Sequence, residues 1–345
     1  MDHEKYMHRC LQLAKIGIGN TRPNPSVGAV IVFEDSIIGE GVTSPYGGPH
    51  AEVNAINSVR NLSLLEKSTI YVTLEPCSHF GKTPPCADLI IAKKIPNVVI
   101  GCIDTNSLVA GKGIKKLEKA GCNVTVGILE KDCFDHHKRF FTVQNKQRPY
   151  IILKWAETKN GFIAPKTKDE LKPVWISNQY SQQLVHKWRS QEHAILVGTN
   201  TVRLDNPSLN VRSWKGNNPI RFVIDKKLTL PLNSNIFSRD QKTVVICEKS
   251  MNNNSEKIVY EVVDFSANLL IEIIKILNKH KIQSIIIEGG RKTLQQFIDH
   301  DLWDEARVFK GEIEFKEGLQ KPCLNSEVKE EKTKSNDILR IYRNI

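Results

Sequence analysis

The sequence predicts an α/β protein built as two domains. Apolar runs of strand length alternate with amphipathic segments of helical period in both halves. The alternation stops at the polar stretch Gln144-Asn145-Lys146-Gln147-Arg148-Pro149 and restarts at Tyr150. A chain of 345 residues is long enough for two separate cores. The joint is placed at the polar stretch, giving domains at 1–145 and 146–345, and no sequence repeat links them.

The first half opens on a helix whose Tyr6, Cys10, Leu13 and Ala14 share one face. Val27 to Phe33 and Ile37 to Val42 are apolar runs joined by Glu34-Asp35-Ser36, a hairpin signal. A helix beginning at His50 follows, then a buried strand at 69–74 and a helix after Cys86. A strand at 98–102, a helix from Gly111 to Ala120 and a strand from Cys122 to Ile128 complete a mixed sheet covered by helices. His136 and His137 lie in a charged run and are read as solvated. In the second half Tyr150–Lys154, Ala194–Val197, Ile220–Ile224, Thr243–Cys247 and Ser284–Ile287 read as strands. Asn178–Arg189, with Ser177 as its cap, and Leu269–Leu277 read as helices. The tail from Lys310 is rich in lysine and glutamate and is given a structural role only.

The chemistry concentrates in His50-Ala51-Glu52 and in Pro76-Cys77-Ser78-His79-Phe80-Gly81-Lys82-Thr83-Pro84-Pro85-Cys86. Taken singly, a His-x-Glu occurs by chance and a cysteine is more often a small buried hydrophobe. Their placement together changes the reading. Cys77 follows a strand, Cys86 opens a helix, and Gly81, Pro84 and Pro85 make the stretch between them a loop. A helix N-terminus favours thiolate over thiol. Positions two apart in a helix interior face opposite sides, so His50 and Glu52 converge only at a helix mouth. One imidazole and two thiols form a three-ligand zinc set. Zinc so held keeps a fourth position for water and lowers that water's pKa to roughly 7. Glu52, which is not a ligand, is the acid/base that moves protons. Zinc-dependent base deaminases carry H-x-E followed by P-C-x-x-C; here eight residues rather than two separate the cysteines.

Composition sets the class. With 40% apolar and 25% charged residues the chain reads as an ordinary globular protein. No apolar run approaches a membrane span, and the N-terminus lacks signal or transit patterns, which points to the cytoplasm. The eight cysteines are irregularly spaced, so Cys10, Cys102, Cys122, Cys133, Cys247 and Cys323 are expected as free thiols. The formal charge of +11 is scattered among acidic runs and forms no basic stripe interleaved with aromatics. Nucleic acid is therefore not the expected partner.

Longer strings carry a family resemblance. These are Thr21-Arg-Pro-Asn-Pro-Ser-Val-Gly-Ala-Val, the His50 and Cys77–Cys86 strings, Leu153-Lys154, Trp175-Ile-Ser177, Ala194-Ile-Leu-Val-Gly-Thr-Asn-Thr-Val202, Asp205-Asn-Pro207, Arg212, Arg221-Phe-Val-Ile-Asp225 and Glu288-Gly-Gly290. Over nearly its full length the chain resembles the bifunctional riboflavin-biosynthesis family, in which a pyrimidine deaminase is joined to a reductase. The resemblance implies a cytidine-deaminase-like α/β/α sandwich with a mixed sheet, followed by a dihydrofolate-reductase-like α/β domain. It implies hydrolysis of the 2-amino group of a diaminopyrimidinone carrying a ribosylamino 5′-phosphate, then NADPH reduction of the ribosyl group to ribityl. It also implies a homo-oligomer.

Carried over by position, His50, Cys77 and Cys86 hold Zn2+ and Glu52 transfers protons. Ala156, Trp175, Thr201, Asp205, Gly290 and Arg291 meet NADPH. Arg189, Leu209, Arg212 and Glu288 meet the substrate. Arginine pairs bidentately with phosphate, which suits Arg189 and Arg212. Glycines before the helix at Thr293–Phe297 let backbone amides cradle a pyrophosphate, and Arg291 with Lys292 suits a 2′-phosphate. No G-x-G-x-x-G is present. Asn24, between two prolines, either presents its amide to the pyrimidine or closes an Asx turn. The chain departs from the family pattern at Pro173, at Glu157-Thr158-Lys159-Asn160-Gly161, at Asp104-Thr-Asn106-Ser107 and at Lys226. Pro173 and Lys226 motivate the alternative of a deaminase whose second domain only binds nucleotide or supports assembly.

Overall fold

The computed structural model describes residues 2–80, 84–105, 110–168, 173–249 and 255–344. The loop assignment at Gly81 and the departures at Asn106 and Ser107 lie outside them. Contacts divide the chain into two units, 2–147 and 148–344.

In the first unit Glu34 and Asp35 take left-handed backbone and close the hairpin between β1 (Gly28–Phe33) and β2 (Ser36–Val42). The helix before it is α1 (His3–Gly17), capped by Asp2, whose carboxylate accepts from the Lys5 amide. There follow α2 (Ala51–Ser58), β3 (Thr69–Leu74), α3 (Cys86–Ala92), β4 (Asn97–Cys102), α4 (Lys112–Lys119), β5 (Asn123–Val126) and α5 (Glu130–Lys146). The sheet order is β2-β1-β3-β4-β5. β1 runs antiparallel to β2 and β3, while β3, β4 and β5 are parallel, so the sheet is mixed. α1 and α5 cover one face, and α2, α3 and α4 the other. Every residue of β3 is buried. That explains its unbroken apolar run and places its carboxyl end, which leads to Cys77, at the centre of the sandwich edge. Gly28 is required by packing: a Cβ there would stand 2.0 Å from the Cys10 carbonyl of α1.

The second unit contains β6 (Tyr150–Glu157), β7 (Phe162–Pro165), α6 (Gln179–Gln191), β8 (Ala194–Gly198), α7 (Thr199–Asp205), β9 (Ile220–Ile224), β10 (Thr243–Cys247) and β11 (Ile258–Val262). It continues with α8 (Leu269–Lys279), β12 (Ser284–Ile287), α9 (Arg291–Asp299), β13 (Glu305–Lys310), β14 (Gly318–Gln320), β15 (Val328–Lys334) and β16 (Asp337–Arg343). The main sheet runs β11-β10-β9-β8-β12-β6-β13-β16-β15. It is parallel from β11 to β13, and β16 and β15 close it antiparallel. α8 and α9 pack on one face with Ile151, Leu153 and Trp155, and α6 and α7 on the other with Tyr150 and Ile152.

Two expectations are corrected. α6 is capped by Asn178, whose side chain accepts from the Ser181 amide, and not by Ser177. His136 and His137 are not solvated. They belong to α5, where His137 is 2% exposed against Thr73 Oγ1 at 3.1 Å and His136 Nε2 reaches the Ser26 carbonyl at 2.8 Å. The lysine- and glutamate-rich tail forms strands β14, β15 and β16.

Candidate active site

His50 is the residue before α2, in extended backbone, so its ring projects from the helix mouth while Glu52 sits in the first turn. Cys77 lies three residues beyond β3 and Cys86 is the first residue of α3. The Cys86 amide donates to Cys77 Sγ at 3.3 Å, so the start of α3 is folded onto the first thiol. His50 Nδ1 lies 3.6 Å from Cys77 Sγ and 3.3 Å from Cys86 Sγ. The three donor atoms all fall within 4.8 Å of one another.

The electrostatics suit a metal. Cys77 is held well below the usual thiol range, first by the hydrogen bond from the Cys86 thiol and, against the opposing effect of burial, by His50. Cys86 is pushed up because it supplies that proton. Contact with Cys77 raises the His50 imidazole. A thiolate, a thiol that shares its proton with it and an imidazole are the three donors, and zinc displaces that remaining thiol proton on binding. An imidazole with two thiols is a soft, compact set that fits zinc. Burial pushes the Glu52 carboxyl up to about 7, and the Cys77 thiolate adds to this. Glu52 is 4% exposed and lines a cavity of about 380 Å³ together with His50, Cys77, Asn24 and His79. The Asn24 loop follows a cis Arg22–Pro23 bond and is tied by the Thr21 hydroxyl to the Asn24 carbonyl at 3.0 Å. Glu75, Asp104, Phe140 and Gln144 also line this cavity; the sequence marks Asp104 only as a departure from the family pattern and Gln144 only as part of the joint, and gives none of the four a place in the site. Glu75 sits beside the cysteine motif, but Phe140 and Gln144 come from α5, which carries no motif.

In the second unit Glu288 follows β12, and its carboxylate accepts from Arg189 Nη2 at 2.8 Å and Nε at 3.2 Å. Arg189 also reaches the Asn210 carbonyl at 3.4 Å. The guanidinium edge expected to grip phosphate is therefore turned onto Glu288. Burial pushes the Glu288 carboxyl up, but Arg189 and Lys154 outweigh it and hold it at about 2. Lys154, on β6, has its own pKa lowered by burial against the pull of Glu288. A lysine inside the apolar run Tyr-Ile-Ile-Leu-Lys-Trp was the sequence signal for this buried cation. His186 Nδ1 lies 3.0 Å from the Asn210 carbonyl, beside the same loop.

Arg212 is exposed, with Nη1 donating to Asn210 Oδ1 at 3.1 Å. Leu209 turns its side chain into the core, 3% exposed, which leaves only its left-handed backbone for a ligand. Gly290 is the residue before α9, and Gly289 takes a φ of +109° that disfavours a side chain. A Cβ on Gly290 would stand 3.3 Å from Thr201 Oγ1, so Thr201 on α7 borders the glycine turn. Arg291 opens α9 and is exposed. Asp205 ends α7 and is ion-paired with Lys168. Ala156 lies on β6 opposite Phe309, and Trp175 is 54% exposed ahead of α6. Lys226 is paired with Glu248 at 3.6 Å.

Comparison with known proteins agrees with both halves. Residues 1–102 match the cytidine and deoxycytidylate deaminase zinc-binding region, and residues 149–311 match the RibD C-terminal domain. The riboflavin biosynthesis protein RibD of Aquifex aeolicus is 38% identical over 320 residues, covering 92% of this chain and 88% of that protein. A solved structure from Thermotoga maritima, a diaminohydroxyphosphoribosylaminopyrimidine deaminase/5-amino-6-(5-phosphoribosylamino)uracil reductase, superposes with a TM-score of 0.90 at 35% identity and covers 99% of each chain. RibD of Acinetobacter baumannii superposes at 0.88 with 28% identity over 99% of each chain. The chain belongs to the RibD family of riboflavin-biosynthesis proteins, in which a zinc-binding deaminase domain and an NADPH-using reductase domain share one polypeptide.

Proposed function

We propose that this chain deaminates the 2-amino group of 2,5-diamino-6-ribosylamino-4(3H)-pyrimidinone 5′-phosphate and then reduces the ribosyl group of the product to ribityl with NADPH. The convergence of His50, Cys77 and Cys86 beside the buried Glu52 carries the first step. Deamination is assigned to 1–145 and reduction to 146–345, supported by the division of contacts after Gln147 and by the two family matches. Zinc bound by His50, Cys77 and Cys86 supplies Lewis acidity and a water activated at neutral pH. Glu52 takes the proton from the attacking water and hands one to the departing amine, converting C–NH2 and H2O into C=O and NH3. Asn24 orients the pyrimidine, its amide matching ring acceptors and donors.

In the second unit Arg212 meets the substrate phosphate, and Glu288, held by Arg189, faces the ribosyl hydroxyls, with the Leu209 backbone alongside. Thr201, Gly290 and Arg291 take the cofactor phosphates at the start of α9, while Ala156, Trp175 and Asp205 border the rest of NADPH. NADPH bound there would supply a hydride to C1′ as the C1′–O4′ bond opens and O4′ takes a proton from solvent, the bond from C1′ to the exocyclic amino nitrogen being retained. The partner is this small molecule and not nucleic acid, because the +11 charge is dispersed. We place the enzyme in the cytoplasm as a homo-oligomer; all eight cysteines are free, and among the described residues no helix is long and apolar enough to cross a membrane. Mass spectrometry of products with and without NADPH tests the reading. The deaminated ribosyl compound alone without NADPH, and the ribityl compound with it, is the expected result. Deamination without reduction in both reactions overturns the reductase half.

A further inference from the structure

Glu75 belongs to no ligand set, yet it is 4% exposed and sits two residues before Cys77. Its backbone amide donates to the Cys102 carbonyl at 3.0 Å, extending the pairing of β3 with β4 by one step. Its carboxylate is engaged by four backbone N–H groups. Oε2 accepts from Asp104 at 3.3 Å and Gly111 at 3.0 Å, and Oε1 accepts from Gly113 at 2.9 Å and Ile114 at 3.4 Å. The anion thus lies at the positive end of α4 and at the start of the connection leaving β4. Gly113 shows how closely the two parts fit: a Cβ there would stand 2.1 Å from the Pro76 carbonyl. Glu75 and Asp104 both line the cavity that holds His50, Glu52 and Cys77.

Both carboxylate oxygens of Glu75 are directed at backbone amides, so it acts on a ligand through the backbone that it holds. We propose that Glu75 is a positioning residue for deamination. By tying Asp104 to the first turn of α4 it fixes Asp104 as one wall of the pyrimidine pocket, and so sets substrate affinity rather than metal retention or the proton-transfer step. The inference rests on deamination taking place in this cavity.

The test compares wild type with Glu75→Gln and Glu75→Ala in the full-length zinc-loaded enzyme. Zinc content, KM and kcat for deamination of the diaminopyrimidine ribosyl phosphate, and NADPH-dependent reduction of the deaminated compound are measured. Glutamine keeps one acceptor oxygen and turns an amide N–H group against N–H donors, whereas alanine removes every bond. The expected order of KM is therefore wild type, Gln, Ala, with about tenfold between the ends. Zinc stays at the wild-type content, kcat stays within about twofold, and reduction is unchanged. A role in folding alone moves other quantities: it lowers zinc content and the active fraction, hence kcat, and leaves the KM of the folded molecules alone. That pattern, or a KM equal to wild type in both variants, overturns the inference. Wild type that fails to deaminate overturns the assignment of the cavity itself, and the inference with it.

Discussion

Arg189 of α6 grips Glu288 at the end of β12 with two hydrogen bonds of 2.8 and 3.2 Å, across 99 residues of sequence. Both side chains are largely buried, at 12% and 8% exposure. Removing one partner from such a pair strands the other charge and costs about 3–5 kcal/mol, whereas removing both costs less. Arg189→Ala should therefore destabilise the second unit by that amount, and Arg189→Ala/Glu288→Gln should recover part of the loss. All five tryptophans lie beyond residue 147, so tryptophan fluorescence in a urea titration reports this unit alone. The pH dependence has a definite sign. The Glu288 carboxyl sits at about 2, below its ordinary 4.5, so the pair's contribution is complete above pH 4.5 and is lost as pH falls toward 2. A double variant as unstable as Arg189→Ala would contradict the paired account.

Local pattern made one half of this chemistry readable, whereas the other was named only through the family resemblance and its Arg189–Glu288 pairing not at all. His50, Glu52, Cys77 and Cys86 lie in two short strings whose strand and helix context is local. β3 is an unbroken buried run, and the residue type at each ligand position is restricted by metal chemistry. Arg189 and Glu288 are an ordinary helix cation and an ordinary turn anion until the parallel sheet brings α6 and β12 together. The same reason hid α5. Its charged residues face outward and its apolar stripe is interrupted by His137 and Thr142, both of them buried, so the periodicity reads as polar. In the tail, β15 is exposed along most of its length and shows no apolar alternation. β16 buries only Asp337 and Leu339: Leu339 lies opposite Phe309 of β13, and Asp337 accepts from the Asn178 amide ahead of α6.

Glu52→Gln keeps the size and burial of the side chain and leaves His50, Cys77 and Cys86 untouched. Zinc content should match wild type, while deamination falls by about 10²–10⁴-fold, the usual contribution of a positioned acid/base. Metal analysis and initial rates on the same preparation decide the matter. Normal turnover removes Glu52 from the mechanism.

Of the two arginines assigned to the substrate Arg212 is the exposed one, and its guanidinium donates to Asn210 Oδ1 rather than being turned onto a buried carboxylate as that of Arg189 is. Arg212→Ala should raise the KM for reduction about 10–100-fold, the worth of a charge-assisted phosphate contact, and leave deamination at the wild-type rate. The two activities measured side by side supply the control. Loss of both together contradicts a two-site enzyme.

The buried histidines of α5 predict acid sensitivity in the first unit. Burial holds the His136 imidazole down to about 4 and His137 well below its ordinary value. A histidine depressed in the folded state destabilises the fold wherever the unfolded chain binds a proton that the folded chain refuses. Stability is therefore full above pH 6.5 and declines as pH falls toward 4. Between pH 7 and 5 His136 contributes about 1–2 kcal/mol of loss, and His137 acts in the same direction. Hydrogen exchange followed by mass spectrometry should show the α5 amides losing protection over that interval, after correction for intrinsic rates. Glutamine at position 136 can still donate to the Ser26 carbonyl and does not titrate. His136→Gln should therefore reduce the loss, leaving the part due to His137. Wild-type α5 protection that is the same at pH 7 and pH 5 removes the histidines as the source of acid sensitivity.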